Sequence, residues 1–219
     1  SHGLVPRTGM LQLSRTLDHV GLFARTLDDL ALLAECTAGF HEGDPDTRPR
    51  AAIPFGRVSR ESPPAEPLLA FMRTPHWDRM DADAREAFGE VQAALGDRVE
   101  ELELFPSAAG AWDWHKVIME AEMAANFEPE WRRGRDRLSA QLRALIERGR
   151  EVRAVDYQQA LRAVPRLVAS FDDLFMERFD AILTPAAPGT APKGLGSTGD
   201  PAFCTLWTLC GMPALSLPL

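Results

Sequence analysis

The order of apolar runs and helical periods between Leu68 and Leu104 constrains this chain most. Leu68-Leu69-Ala70-Phe71-Met72 is an apolar run of strand length. After it, Asp81 can cap a helix whose Ala84, Phe88, Val91 and Leu95 recur at the 3.6-residue period, and Val99 to Leu104 then alternates as a second strand. Two strands with a helix and short links between them cannot form a hairpin. They need a crossover, so the expected class is α/β, with a mixed, mainly parallel sheet flanked by helices.

The flanking sequence extends this pattern. Thr26 followed by Asp29 makes a capping pair for a helix over 27–38, with Leu27, Leu30, Leu33 and Ala34 on one face and Gly39 at its end. Residues 42–67 are dense in proline and charge and carry no helical period, which predicts an exposed excursion. From 107 to 179 the chain reads as a large helical middle. Ser107 can cap a helix running past Met119 and Met123, and a charged amphipathic stretch covers about Glu130 to Arg150. The longest helix should start near Val155 or Asp156, with Leu161, Val164, Val168, Phe171 and Phe175 on one stripe and Pro165 bending it. Phe179 to Pro185 then reads as a buried strand and Pro185 to Gly199 as a loop. Asp200 caps a helix that begins with Pro201, and Ala214 to Leu217 reads as a last strand. We expect a single domain over 1–219 that is part of a larger one. An apolar run at the chain end and a start without methionine suggest truncation at both ends.

Composition narrows the function classes. With 219 residues, 45% of them apolar, the chain can bury a sizeable core. A net charge of −8 argues against a nucleic-acid partner. No run of 18 apolar residues and no charged-then-apolar leader occurs, so we expect no membrane partner, no secretory signal and a cytoplasmic location. Cys36, Cys204 and Cys210 lack metal-site spacing and are expected as buried free thiols.

Three motif-like patterns fail their physical tests. Gly194 to Gly199 fits G-x-G-x-x-G, but a proline-rich loop separates it from the preceding strand and no ribose-binding acid follows at the required distance. We therefore expect no cofactor. His2, His19, His41, His76 and His115 have no paired spacing, so no metal site is expected. A G-x-S-x-G elbow is absent from the sequence.

Gly3, Val5, Pro6, Arg7 and Gly9, followed by Leu13, Ser14, Leu17, Asp18, Val20, Gly21, Ala24, Arg25 and Thr26, resemble the G-x-V-P/S-R-x-G and L-S-x-S-L-D-x-V-G-x-x-A-R-T runs of the amidase signature family. Leu4-Val5-Pro6-Arg7 beside Ser1-His2-Gly3 also looks like a cleavable expression tag. That reading does not explain the match continuing in register to Thr26, nor Thr8-Gly9 where a tag scar would read Gly-Ser. Downstream, Gly149, Asp156 to Ala160, Arg166 and Phe179 to Pro188 resemble the family's helix and D-x-L-L-T-P-x-x-P segment. Gly199 to Phe203 with Trp207, Thr208 and Gly211 to Ala214 resembles the stretch before its late strand.

The resemblance implies hydrolysis of a carboxylic amide by a nucleophilic serine, a bridging serine and a lysine, through an acyl-serine intermediate. In the family these residues precede the V-P-R-x-G run, so no catalytic residue is assigned to this chain, and Lys116 and Lys193, its only lysines, are expected as solvated charges. Ser14 is expected as a turn or capping residue. The chain should instead shape the substrate site. Thr198, Asp200, Pro201, Phe203, Thr205 and Trp207 are the first candidates, and Trp112, Trp114, His115 and Met119 the second group. Expected partners are a small-molecule amide and the missing N-terminal part of the same enzyme, with a homodimer left open. Two other readings remain: an amidotransferase subunit on the same fold that supplies ammonia to mischarged tRNA, and a non-catalytic scaffold or interaction domain.

Overall fold

The computed structural model describes residues 2–217. In chain order the elements are α1 (Leu27–Thr37), α2 (Phe55–Val58), β1 (Leu69–Met72), α3 (Ala82–Leu95), β2 (Val99–Leu102), α4 (Ala111–Asn126), α5 (Glu128–Gly134), α6 (Ala140–Glu151), α7 (Ala154–Glu177), β3 (Ala181–Leu183) and α8 (Ala202–Leu209). They make two compact units. One comprises the residues up to Ser62, Lys116–Tyr157 and Gly211–Leu215, and the other Pro63–His115, Gln158–Cys210 and Ser216 onward.

The second unit holds the sheet, in the order β2-β1-β3, with both pairings parallel. Leu69 is opposite Val99 on one side and Ala181 on the other. The central strand is apolar because it is enclosed: Ala70, Phe71 and Met72 are fully buried. Phe71 packs on Phe88 of α3 at 6.2 Å between ring centroids and meets Trp77 edge-on at 5.6 Å. The expected α3 face is the half-buried one, Ala84, Phe88, Val91 and Leu95. Pairing of β1 with β3 begins where the Leu68 carbonyl accepts the Asp180 amide at 2.9 Å and the Leu68 amide donates to the Asp180 carboxylate at 2.9 Å.

Several expectations in this unit need correction. β3 is half-buried to exposed rather than buried, because it forms an outer strand of the described sheet. The helix expected from Ser107 starts at Ala111. Pro106 opens a separate short turn, and the Ser107 hydroxyl lies 3.0 Å from that of Ser170. The buried stripe of α7 runs through Ala160, Leu167 and Phe171: Phe171 is buried as expected, Leu161, Val164 and Val168 are half-buried beside the stripe, and Phe175 is 38% exposed. Pro165 lies inside that helix.

The first unit is helical. Thr26 caps α1 as its spacing predicts, its hydroxyl accepting the Asp29 amide at 3.1 Å and donating to the Asp29 carboxylate at 2.8 Å. The apolar face of α1 is largely uncovered, however. Only Ala31 is buried, and Leu27, Leu32 and Leu33 are exposed, as are Phe23, Leu11 and Phe40 nearby in sequence. The charged stretch over 130–150 is two helices, α5 and α6, and Ser139 caps the second by accepting the Leu142 amide at 3.2 Å. Met123, Ala124, Phe127 and Ile146 form a core between α4 and α6, flanked by Met119, Trp131 and Leu142. The two helices touch so closely that a Cβ on Gly149 would overlap the Glu120 carbonyl oxygen and lie 2.8 Å from the Ala124 Cβ. Overpacking there has no outlet except separation of the helices.

The excursion over 42–67 is mostly exposed, yet it is pinned at Asp44 and Thr47, each 4% exposed. Thr47 binds the carbonyls of His41 and Asp44 through its hydroxyl at 3.0 and 2.9 Å. Ala214 to Leu217, expected as a strand, has no regular structure, and Leu215 and Leu217 are exposed. An apolar alternation becomes a strand only when a neighbour accepts its hydrogen bonds. The rest of that expected apolar end, Pro218 and Leu219, lies outside the described residues.

Candidate functional site

In the second unit, the loops leaving the carboxyl ends of β1 and β3 converge. The β1 loop, residues 73–81, contains Thr74, His76, Trp77 and Arg79, and the β3 loop runs from Thr184 to Pro201. Hydrogen bonds to backbone carbonyls join them first. The Thr184 hydroxyl donates to the Met72 carbonyl at 3.2 Å, and the Asp81 amide donates to the Pro188 carbonyl at 2.8 Å. Gly189 fits directly beneath the Asp81 carboxylate, where any Cβ would collide.

Side chains then close the edge. Arg79 donates to Asp200 at 3.0 Å, and the same carboxylate accepts the Ala202 amide at 2.9 Å, so Asp200 both starts α8 and neutralises Arg79. These bonds, the backbone amide foremost, hold the Asp200 carboxyl below the usual carboxylate range. Trp112 donates its indole N–H to the Ala202 carbonyl at 2.9 Å and meets the His76 ring edge-on at 5.0 Å. Burial, then the nearby Arg79 charge, pushes the His76 pKa down against the opposing pull of Asp200. His76 is therefore neutral near pH 7. Buried without a hydrogen-bond partner in this unit are Thr74 Oγ1, His76 Nε2 and Trp207 Nε1.

The ten residues nominated from sequence divide accordingly. Asp200, Pro201 and Trp112 lie at the convergence, with Asp200 and Trp112 anchoring it. Thr198 is exposed in the β3 loop. Phe203 is fully buried, and Thr205 is buried with its hydroxyl given to the Pro201 carbonyl at 3.0 Å. Trp207 is half-buried against Phe171 at 5.7 Å. Trp114 packs over Gly110, where a Cβ would come within 2.5 Å of its ring, and His115 is half-buried with its pKa lowered by burial. Met119 belongs to the first unit and its helical core. Thr74 and Arg79 were missed, and His76 was weighed only as a metal ligand; none of the three belongs to a periodic pattern or a recognisable motif.

The first unit carries two polar anchors that sequence reading also missed. Glu122 on α4 accepts the Ser14 hydroxyl at 2.6 Å, the Thr16 amide at 2.9 Å, the Thr16 hydroxyl at 2.5 Å and the Tyr157 hydroxyl at 2.7 Å. Burial raises the Glu122 pKa, but these donors outweigh it and keep the carboxyl below its ordinary value. Ser14 is thus a turn residue as expected, accepting the Leu17 amide at 3.2 Å while its proton points to Glu122. Arg7 grips Asp44 through two nitrogens at 3.0 and 2.9 Å and Asp46 at 2.5 Å, and donates to the carbonyls of Arg15 and Asp18. That grip holds Asp44 far below the usual carboxylate range.

An open depression of about 410 Å³ in the first unit, lined by Asp28, Asp29, Glu35, Arg57 and Arg60, contains none of the nominated residues. Several of its charged groups are already engaged, Arg60 with Asp28 at 2.8 Å, Arg57 with Glu61 at 2.9 Å and Glu35 with the Gly56 amide at 2.9 Å. We give it less weight than the convergence at β1 and β3, where buried polar groups remain unmatched. Lys116 and Lys193 are both exposed. Contrary to expectation, Cys36 and Cys204 are exposed; desolvation still raises the Cys204 thiol, and burial pushes the Cys210 thiol up to about 12. Cys204 owes its position to the start of α8, where its thiol donates to the Ala186 carbonyl at 3.1 Å. Among the described residues no group of side chains has metal-site geometry, and no helix is long and apolar enough to cross a membrane.

The family model described as Amidase matches residues 1–219. The chain is 28% identical to an amidase of Pseudomonas putida over 99% of its own length and 49% of that protein's. It is 26% identical to a glutamyl-tRNA(Gln) amidotransferase subunit of a Picosynechococcus species, over 100% of its own length and 52% of that protein's. A crystal structure of an amidase superposes with a TM-score of 0.72 at 22% identity, covering 98% of this chain and 50% of that one. The chain spans about half the length of the curated relatives it matches.

Proposed function

Because the chain belongs to the amidase family, we propose that it is the C-terminal part of one larger amidase domain that hydrolyses a carboxylic amide C–N bond. The observation that carries this reading is the match across the whole chain to proteins about twice as long. In it, the nucleophilic serine, the bridging serine and the lysine lie in the preceding half. The present half supplies scaffold and the substrate side, through the convergence that includes Trp112, Asp200 and Pro201. The serine attacks the amide carbonyl, amine leaves with a proton, and water releases the acid. Scaffold roles for Phe203 and Thr205 fit their burial, and one for Met119 fits its packing against the helical core, whereas Thr198, Trp207, Trp114 and His115 remain candidates for contact with substrate.

The uncovered apolar residues Leu11, Phe23, Leu27, Leu32 and Leu33 support the same reading. Their exposed area suits contact with further protein better than contact with water. The preceding half of the domain is the occupant we assign to them, in a protein located in the cytoplasm. The amidotransferase relatives favour a second reading, in which the ammonia released is handed to a bound acceptor.

Joining the chain to its preceding coding segment and measuring ammonia release from a panel of small amides tests the proposal. We expect turnover from the joined protein and none from the chain alone. Turnover by the stringently purified chain alone would refute it. Release from glutamine alone, and only in a stable complex with partner subunits, would favour the second reading.

A further inference from the structure

Strand order singles out one place on the sheet. The chain leaves β1 through α3 to pair with β2 on one side, while β3 pairs on the other. Connections therefore diverge between β1 and β3, and in open parallel sheets ligands bind outside the carboxyl ends of the strands at such a point. The residues emerging from β1 there are Arg73, Thr74, Pro75 and His76. Thr74 is 3% exposed, and its Oγ1 is one of the buried, unpartnered atoms together with His76 Nε2. A neutral polar atom left buried and unbonded is destabilising, and folded proteins rarely tolerate it without a reason.

The neighbourhood makes the omission specific. The Thr74 carbonyl accepts the Trp77 amide at 3.0 Å and the His76 carbonyl accepts the Arg79 amide at 2.8 Å, so the backbone of the loop is bonded. Arg79 is bound to Asp200 and the Trp112 indole to Ala202. What stays free is one hydroxyl, which can donate or accept, and one ring nitrogen of an uncharged imidazole held edge-on by Trp112.

We propose that Thr74 and His76 form a hydrogen-bonding pair that recognises an uncharged, planar carboxamide group at the carboxyl end of β1. A donor–acceptor pair matches the C=O and N–H edges of an amide. Both arginines of the loop are already paired, Arg73 with Glu101 and Arg79 with Asp200, so a carboxylate finds no free cation there, and an ammonium, which only donates, leaves the donor of the pair unmatched. The proposal rests on the amidase reading for its biological sense, but its test does not need turnover.

Benzamide titrated into the chain, followed by NMR at the His76 ring and the Thr74 amide, is the measurement, with benzoate and benzylamine as comparison probes. We expect saturable shifts with benzamide and at least fivefold weaker binding of the two charged probes. Thr74→Val and His76→Phe should each weaken benzamide binding about tenfold, the size of one neutral hydrogen bond. Their urea midpoints should stay equal to the parent's or rise, because no existing bond is lost. Shifts that do not saturate by tens of millimolar benzamide overturn the proposal, as do variants that bind normally. A lower midpoint in Thr74→Val with unchanged binding overturns it too, and assigns the hydroxyl to internal water. Benzamide binding by the chain without turnover in the joined protein would fail the amidase reading alone; turnover without that binding would fail the pair alone.

Discussion

Substituting alanine at Gly149 tests the packing of the first unit with one methyl group. By propensity alone the change is favourable, since alanine is better than glycine inside a helix by about 1 kcal/mol. The structure predicts the opposite. The new Cβ would overlap the Glu120 carbonyl oxygen, lie 2.6 Å from that carbonyl carbon and sit 2.8 Å from the Ala124 Cβ. Carbon atoms prefer separations of about 3.5–4.0 Å, so α4 and α6 must part by roughly 1 Å. That separation loosens the contacts of Met123, Ala124, Phe127 and Ile146. Overpacking of adjustable side chains costs about 1–3 kcal/mol. A backbone carbonyl inside a helix is less adjustable, so after the propensity gain we expect a net loss of about 2 kcal/mol or more. With a urea slope of about 2–3 kcal/mol/M, the unfolding midpoint should fall by roughly 0.7–1 M. Gly89→Ala is the control. That glycine is exposed in α3 with nothing within 4 Å of its added Cβ, so the same substitution should raise stability by about 0.5–1 kcal/mol. Urea unfolding followed by circular dichroism measures both. A Gly149→Ala midpoint at or above that of the parent chain would refute the close approach of the helices.

Tyr157 is the chain's one tyrosine, so its ultraviolet titration is unambiguous. Burial, then the Glu122 hydrogen bond, pushes its pKa up to about 12, and Glu122→Gln should move the midpoint back toward 10. The sign for stability follows: the unfolded chain loses this proton first, so stability should fall as pH rises from about 10 to about 12. Tyr157→Phe should cost about 1–2 kcal/mol in denaturant unfolding, one hydrogen bond to a charged acceptor at a partly exposed site. His19, whose pKa burial lowers to about 4, is neutral in the fold. Its contribution should be complete above about 6.5 and lost as pH falls toward 4, by about 1–2 kcal/mol once its partial exposure is discounted. A parent-minus-His19→Gln stability difference that stays flat across that window would contradict this. In the joined protein, Trp207→Ala should raise KM or change the preferred amide, and unchanged kinetics over several amides would remove it from the substrate side.

What could be read from sequence was local. Thr26 with Asp29, and Asp200, act within three residues of themselves, and their caps follow from residue type and spacing. Ala70, Phe71 and Met72 announced a buried strand because enclosure on both faces demands an apolar run. Long-range pairing was invisible. Nothing around Ser14 indicates that its partner is Glu122, and nothing around Arg7 indicates Asp44, because those contacts depend on how distant segments are brought together. Ala214 to Leu217 failed for a related reason: alternation records which residues are apolar, not whether a neighbouring strand is present. At the candidate site, Asp200 was found through its motif and Trp112 through its place in the helical middle, whereas Thr74 and Arg79 lie in a loop whose importance comes from strand order.

The carboxylate of Glu122 also constrains how this protein can change over generations. Ser14 and Thr16 lie two residues apart and Tyr157 on a distant stretch of chain, yet all spend a hydroxyl on the same two oxygens. Losing the acid first would strand several donors at once, whereas losing one hydroxyl first leaves an acceptor that its remaining neighbours still satisfy. Drift through this cluster therefore has a permitted direction. The hydroxyls can erode singly, Thr16 with least loss because its backbone amide stays bound, and the acid can go only after them. A lineage that has replaced Glu122 should already have abandoned the others, and the reverse order should be rare.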